Sequence, residues 1–443
     1  MNTPICDFVK EYAKKNAARF HMPGHKGIGA IGPEALDITE ISGADVLYSA
    51  NGIIKRSEQN AAKIFNTKAT FYSTEGSSLC IRAMLYMLKK YALKNGKKPL
   101  ILAGRNAHKT FVTATAILDV EVDWLYGGDN ILSCKIDTNE LENRIKEKQP
   151  VAVYITSPDY LGNTQDIENI AEICKKNGVL LLCDNAHGAY FNFLEKNIHP
   201  MYLGADICCD SAHKTLPALT GSAYLHISKN TDDFFAFEAE NAMSLFASTS
   251  PSYLILQSLD ALNLYLENAF SKDLQDTVKA VEKLKEKLTE FGFSILSDEP
   301  LKLTIKAKKY GYKGYEIAEY LEKNNVFSEF SDPDFLTLMF SPNNTNLQIE
   351  KLLKLLSELP KKAEINQKPP VIKRSERVFL QSEALLKNSE KVPVEKALGR
   401  VLSTPAVSCP PAIPIVLCGE KIDAQAIECF KYYGIDFCQV IKE

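Results

Sequence analysis

Between about residue 66 and residue 230 the chain alternates short apolar runs with amphipathic stretches, and no other feature limits the possible fold as strongly. Seven of the runs read as buried strands: Ala69 to Ser73, Pro99 to Ala103, Val120 to Tyr126, Val151 to Thr156, Val179 to Asp184, Ala205 to Cys209 and Gly221 to Ile227. Helical patterns lie between most of them, including Ser78 to Lys94, Lys109 to Leu118 and Ile167 to Asn177. Nearly continuous apolar strands joined by amphipathic crossovers predict an α/β fold, with a mostly parallel seven-stranded sheet sandwiched by helices.

Ligands on such sheets bind outside the carboxyl ends of the strands, so the residues that follow each strand carry the functional information. After the first strand, Ser73-Thr-Glu-Gly-Ser-Ser78 opens a helix. Free N–H groups, the helix dipole, a glycine and two hydroxyls would make Gly76, Ser77 and Ser78 a phosphate cradle, although an ordinary serine N-cap explains the same residues. After the second strand, His108 could stack on a planar cofactor ring or simply begin a helix in solvent. After the fourth, Ser157-Pro-Asp-Tyr-Leu-Gly162 reads as a turn that shapes the strand end. After the fifth comes Asp184-Asn-Ala-His187. A carboxylate ending a buried strand must be paired, either with a helix start or with a protonated pyridine nitrogen.

The sixth strand runs into Ser211-Ala-His-Lys214-Thr. Flanking apolar segments should partly desolvate Lys214 and lower its pKa, which makes the amine a nucleophile toward aldehydes. Imine formation of this kind is most often chemistry with pyridoxal 5'-phosphate (PLP), whose phosphate needs donors such as Ser211. A solvated lysine whose stem snorkels over the surface is the competing reading. The convergence of strand-end residues, more than any one of them, points to a cofactor site.

Composition removes several function classes. Lys and Arg number 52 against 55 Asp and Glu, a net charge of −3 that leaves no footprint for nucleic acid or an anionic membrane. The 11 cysteines form no Cys-x-x-Cys pair, and Cys183, Cys208 and Cys209 fall inside apolar runs, as in a reducing cytoplasm. No apolar run approaches membrane-spanning length, and the first ten residues lack the pattern of an export signal.

Four regions are expected. Residues 1–50 form an N-terminal arm, in which Pro23 and Gly24 break the helix that could have aligned His21 and His25 on a metal. Residues 51–275 form the large cofactor domain, 276–365 a small α/β domain and 366–443 a C-terminal domain. Ser252 to about Phe291 reads as one long helix leaving the large domain. Strands are expected at Phe293 to Leu296, Leu301 to Ala307 and Phe335 to Phe340, and helices near Lys313 to Asn324 and Asn346 to Glu358.

With these residues laid out, the chain resembles the PLP-dependent Orn/Lys/Arg decarboxylases of the aspartate aminotransferase fold (fold type I). The resemblance rests on His21-Met-Pro-Gly-His-Lys-Gly27, Arg105-Asn-Ala-His-Lys109, Ser157-Pro-Asp-Tyr-Leu-Gly162, Asp184-Asn-Ala-His-Gly188, Ser211-Ala-His-Lys-Thr-Leu-Pro217, Ser248-Thr-Ser-Pro251 and Pro410-Pro-Ala-Ile-Pro414. It implies that Lys214 holds PLP as an imine, Asp184 pairs with the pyridine nitrogen and His108 stacks on the ring. Ser77, Ser78 and Ser211 would hold the phosphate, and Ser248 or Thr249 would complete the site of a partner subunit in a homodimer with shared active sites. His187 and His213 would flank the cofactor, with His213 or Lys214 supplying a proton, and Glu420 would read the basic end of the substrate. The phosphate loop and Cys409-Pro-Pro-Ala depart from the commoner family pattern, which leaves the substrate open.

The reading is decarboxylation of arginine, lysine or ornithine to an amine of polyamine metabolism. Transamination or β-elimination on the same fold, a catalytically silent binding relative, and a metallohydrolase using Asp184, His187 and His213 are the alternatives.

Overall fold

A computed structural model describes residues 1–127, 134–296, 298–409 and 413–442. Seven strands form one sheet: β1 (Ala69–Ser73), β2 (Leu100–Gly104), β3 (Glu121–Leu125), β4 (Ala152–Thr156), β5 (Leu180–Asp184), β6 (Ile207–Asp210) and β7 (Ala223–Ile227). Their order is β1-β7-β6-β5-β4-β2-β3. β5 and β6 are parallel, as are β2 and its neighbours β3 and β4, whereas β7 runs antiparallel to β1 and β6. The mostly parallel α/β sheet read from the apolar runs is therefore present. Every strand begins and ends within two residues of its run, and β2 and β6 are buried along their whole length.

The helices up to the end of the sheet region are α1 (Pro4–Lys14), α2 (Ile53–Ile64), α3 (Ser77–Lys94), α4 (Lys109–Ile117), α5 (Thr138–Lys148), α6 (Ile167–Lys176), α7 (Pro200–Leu203), α8 (Ala212–Thr215), α9 (Asp233–Ser244) and α10 (Tyr253–Asn268). The single helix expected from Ser252 to Phe291 is two, α10 and α11 (Phe270–Glu290). Ala269 between them has φ −132° and ψ −28°, outside the helical region. The break lets Phe270 turn inward, where it is fully buried edge-on to Phe193 and Tyr265.

The chain divides into two compact units, Met1–Lys97 with Ile167–Leu274, and Lys98–Asp166 with Gln275–Glu443. In the first, α2 packs on β1, and α1 and α10 pack on α2. Thr3 makes no side-chain cap for α1. Asp260 of α10 does so instead: one oxygen accepts the N–H groups of Ile5 and Cys6, both at 2.9 Å, and the other accepts the Ser57 hydroxyl. This anchors the start of the arm to its own unit.

In the second unit, β8 (Lys302–Lys306), β9 (Phe330–Ser331) and β10 (Phe335–Met339) form an antiparallel sheet with β10 in the middle. The strand expected at Phe293 to Leu296 is reduced to one bridge, Ile295 to Ile305. α12 (Gly314–Lys323) and α13 (Asn346–Glu358) follow the expected periodicity. The last segment holds α14 (Gln381–Leu385), β11 (Ser389–Pro393), β12 (Ala406–Cys409), β13 (Ile413–Leu417), α15 (Ala424–Tyr432) and β14 (Phe437–Ile441). β11 pairs with β14 and β12 with β13, over a core that includes Leu402, Ile415, Val416, Phe430 and Val440. After β4, Asp159 closes the Ser157–Gly162 turn by accepting the N–H groups of Leu161 and Asn163, both at 2.9 Å.

Asp332 generates a prediction. One of its oxygens accepts the N–H groups of Asp334 at 2.7 Å and Phe335 at 2.6 Å, while Oδ2 is buried with no hydrogen-bond partner among the described residues. Burial, with Asp334 nearby adding to it, pushes the carboxyl from 3.8 up to about 7. The folded chain therefore binds more protons than the unfolded chain between these values. Stability should fall as pH rises through that window, by at most about 1.4 kcal/mol per pH unit from this group, and the effect should level off above it. Asp332→Asn should lose that component, as urea midpoints of both proteins at about pH 5 and about pH 8 would reveal.

Candidate active site

Lys214 is carried by α8, a single helical turn that begins one residue after β6. Asp184 ends the adjacent parallel strand β5, with Cys209 of β6 as its register partner. This juxtaposition brings Lys214 Nζ to 3.0 Å from His187 Nε2, three residues beyond Asp184. Lys214 and His213 are half-buried, whereas Asp184 and His187 are buried. The Asp184 carboxylate accepts the Ala186 N–H at 3.2 Å and lies 3.7 Å from the Cys209 thiol.

The first-strand loop meets the same place. The Ser211 hydroxyl, at the start of α8, donates to the Ser77 hydroxyl at 2.9 Å, at the start of α3. Gly76 precedes α3 with φ +70°, and a Cβ added there would have only His213 Cε1 near it, at 3.9 Å. Since Gly76 has no side chain to cap α3, the N–H groups of the first turn face a hydroxyl-lined space at the positive end of an 18-residue helix. Ser78 follows in the same turn, and Ser222 Oγ is buried nearby in sequence to β7 without a protein partner among the described residues. Such a donor set fits the phosphate of PLP. His213 is oriented by its Nδ1, 2.9 Å from the Ser222 carbonyl. Ser248 and Thr249 are exposed in the break between α9 and α10, and the Ser248 N–H donates to Glu75 of the phosphate loop at 2.7 Å.

Two expected site residues belong to the second unit. His108 is the N-cap of α4, exposed, with Nδ1 accepting the Thr110 N–H at 3.2 Å. Glu420 is 4% exposed, and its two oxygens accept from the two terminal nitrogens of Arg105, each at 2.7 Å. It also accepts the Leu417 N–H at 2.8 Å. The expectation that Glu420 reads a substrate's cationic end thus meets a carboxylate already engaged by a guanidinium on both oxygens. Pro410, Pro411 and Ala412 of the Pro-Pro-Ala-Ile-Pro motif lie outside the described residues.

Sequence reasoning missed Asp210, the last residue of β6. It is fully buried and accepts from Asn185 at 2.7 Å, His199 Nε2 at 2.9 Å and His226 Nε2 at 3.2 Å. Burial alone would raise its pKa, but the two histidines outweigh burial and hold the carboxyl well below the usual carboxylate range. Burial pushes His226 down. The signal that singled out Asp184, a carboxylate ending a buried strand, was also present at Asp210; nothing in the sequence marked His199 as its partner. His199, Cys208 and Asp210 carry ligand-type atoms within 4.8 Å of one another, a different set from the Asp184, His187 and His213 weighed for a metallohydrolase.

The family models match over most of the chain, and named relatives carry the same family's activities. Residues 3–296 match the Orn/Lys/Arg decarboxylase major domain and residues 367–439 the Orn/Lys/Arg decarboxylase C-terminal domain. An arginine decarboxylase of Bacillus subtilis is 27% identical over 462 residues, covering 96% of this chain and 92% of that protein. An arginine decarboxylase of Halalkalibacterium halodurans is 29% identical over 457 residues, covering 95% and 91%. Lysine decarboxylase A from Pseudomonas aeruginosa has the same fold, with a TM-score of 0.83 at 17% identity over 99% of this chain and 80% of that one. The Francisella novicida lysine decarboxylase gives 0.81 at 18% identity over 99% and 81%.

Gly221, just before β7, ties the phosphate loop in place: its carbonyl accepts the Gly76 N–H at 2.8 Å. Its φ is +98°, and an added Cβ would lie 2.7 Å from the Thr74 carbonyl oxygen. Gly221→Ala should therefore lower stability by about 1–3 kcal/mol, which a denaturant titration against the parent chain would detect.

Proposed function

The chain belongs to the Orn/Lys/Arg decarboxylase family, whose members are PLP-dependent amino acid decarboxylases, and from that premise we propose that it uses PLP to release CO2 from arginine. The observation that carries this reading is the 3.0 Å contact between Lys214 Nζ and His187 Nε2 at the ends of adjacent parallel strands, beside Asp184 and the Ser77–Ser211 pair. Arginine is favoured over lysine and ornithine because the Bacillus subtilis and Halalkalibacterium halodurans relatives, at 27% and 29% identity, are named arginine decarboxylases. The product would be a cationic amine of polyamine metabolism. The ten cysteines whose side chains are among those described are all buried and free, which supports a reducing compartment, the cytoplasm.

In this reading Lys214 is the amine that holds PLP. When bound, PLP supplies an electron-accepting ring that weakens the bond between the substrate's α-carbon and its carboxylate. Asp184, a buried carboxylate, would keep a proton on the ring nitrogen. The hydroxyls of Ser77, Ser78 and Ser211, with the N–H groups that follow Gly76, would bind the phosphate, and His108 would be the residue that stacks on the ring. His187 Nε2 accepts and returns a proton at Lys214 Nζ, and Lys214 delivers it to the α-carbon. His213, held by the Ser222 carbonyl, flanks the cofactor. Ser248 and Thr249 serve the phosphate site of a second copy, so the working form is a homodimer.

Purified protein with PLP should show an absorption band in the near-violet and release CO2 fastest from arginine, with lysine and ornithine assayed in parallel. Lys214→Ala should abolish the band and cut CO2 release by roughly 1,000-fold or more. No band in the parent protein with added PLP would sink the reading, and keto-acid production without CO2 would redirect it to transamination. Mixing Lys214→Ala with Ser248→Ala/Thr249→Ala should restore part of the activity if sites are shared between subunits.

A further inference from the structure

Arg105 and Glu420 form an ion pair within the second unit that neither the fold nor the phosphate site explains. Arg105 is 3% exposed and Glu420 4% exposed. The guanidinium fork meets both carboxylate oxygens at 2.7 Å, the geometry in which an arginine–carboxylate pair is strongest. The faces of Trp124 and Tyr126 lie 5.5 Å and 5.4 Å from the guanidinium carbon. Burial opposes the charge, but Glu420 outweighs it and raises the pKa of Arg105 further.

Each end of the pair is itself held firmly. The Arg105 N–H donates to the Leu125 carbonyl at 2.9 Å and to the Cys134 sulfur at 3.3 Å. Glu420 closes a turn with Leu417, its N–H donating to the Leu417 carbonyl at 3.0 Å, and its carbonyl accepts the Leu402 N–H at 3.0 Å. The neighbouring Gly419 has φ +85°, and a Cβ there would lie 2.4 Å from the Phe379 carbonyl oxygen, so this turn tolerates only glycine. Arg105 begins the short loop from the end of β2 to His108 at the start of α4. The side chain that leaves this loop inward is thus clamped by the C-terminal segment, while His108 leaves it outward.

We propose that Glu420 is a positioning residue: through Arg105 it fixes the backbone of Arg105–His108 and so sets where the His108 ring stands, without touching the substrate. This assigns the C-terminal segment a part in the reaction. The catalytic side of the proposal rests on the reading of His108 as the group over the cofactor ring; the clamping of the loop does not.

The test has two parts, made on the full chain. Amide hydrogen exchange needs neither cofactor nor substrate. In Glu420→Gln, the amides of Asn106, Ala107 and His108 should exchange at least about tenfold faster than in the parent, while Ile101 and Leu102 in β2 stay protected. Kinetics and the cofactor spectrum then separate positioning from substrate reading. A positioning role lowers kcat and PLP affinity, each by about tenfold or more, and leaves KM for arginine within about twofold. Arg105→Gln should reproduce this, and combining the two should do no further harm.

If a single variant fails to fold because a lone buried charge remains, Arg105→Met with Glu420→Leu removes both charges and should keep the fold while losing kcat to the same extent. Unchanged exchange at 106–108 would overturn the proposal. So would a tenfold rise in KM with spectrum and PLP affinity intact, which would make Glu420 a substrate contact. Faster exchange with wholly unchanged kinetics would make the clamp structural only. A parent protein that binds no PLP overturns the cofactor reading instead, and the exchange result still decides the clamp.

Discussion

An ionised carboxylate buried at the end of a central strand is costly unless every lone pair that faces the interior finds a donor, and Asp210 satisfies that condition. Its donors come from three places: Asn185 just beyond β5, His226 in β7 and His199 ahead of α7. The carboxylate therefore joins the end of the strand that presents Asp184 to the end of the strand that leads into Lys214. Ser211, which meets Ser77, is the next residue along the chain. The geometry of the candidate site depends on this one buried anion, because if it is lost, two strand ends and the histidines between them lose their shared anchor.

The second unit uses the same device with the opposite sign in the centre. Arg105 is a buried cation and Glu420 its only carboxylate partner among the described contacts, with two aromatic faces completing its surroundings. Asp260 follows the same logic at the start of the chain, where it supplies the cap that Thr3 does not. In each case a charge has been moved from solvent to a junction between segments distant in sequence. Such pairs contribute little net stability compared with apolar packing, but they specify one arrangement strongly, since breaking them leaves an uncompensated charge.

Much of the architecture was legible because its signals are local. Apolar runs such as Val179 to Asp184 and Pro99 to Ala103 read as interior strands, and β5 and β2 lie within one residue of them. The helix start at Gly76, Ser77 and Ser78 was legible for the same reason: a glycine followed by hydroxyls at a strand-to-helix turn is a local pattern. The helix break at Ala269 was not, because alanine is the best helix former and the break answers to the burial of Phe270 among rings from elsewhere. Nor was the engagement of Glu420. Its partner lies 315 positions away, and nothing near Glu420 distinguishes a carboxylate facing a ligand from one facing an arginine.

By itself, the amino-acid sequence determined the α/β class, the succession of strands and helices, the strand-end positions of Asp184 and Lys214, and the family to which the chain belongs. These follow from periodicity and from contiguous motifs, which need only neighbouring residues to be read. Only the tertiary structure decided that His187 stands against Lys214, that Asp210 is shared by two histidines and an asparagine, that burial pushes the Asp332 carboxyl upward, and that Glu420 belongs to Arg105. Desolvation and pairing are properties of a buried point in space, and the groups that meet at such a point come from parts of the chain whose proximity no local pattern encodes.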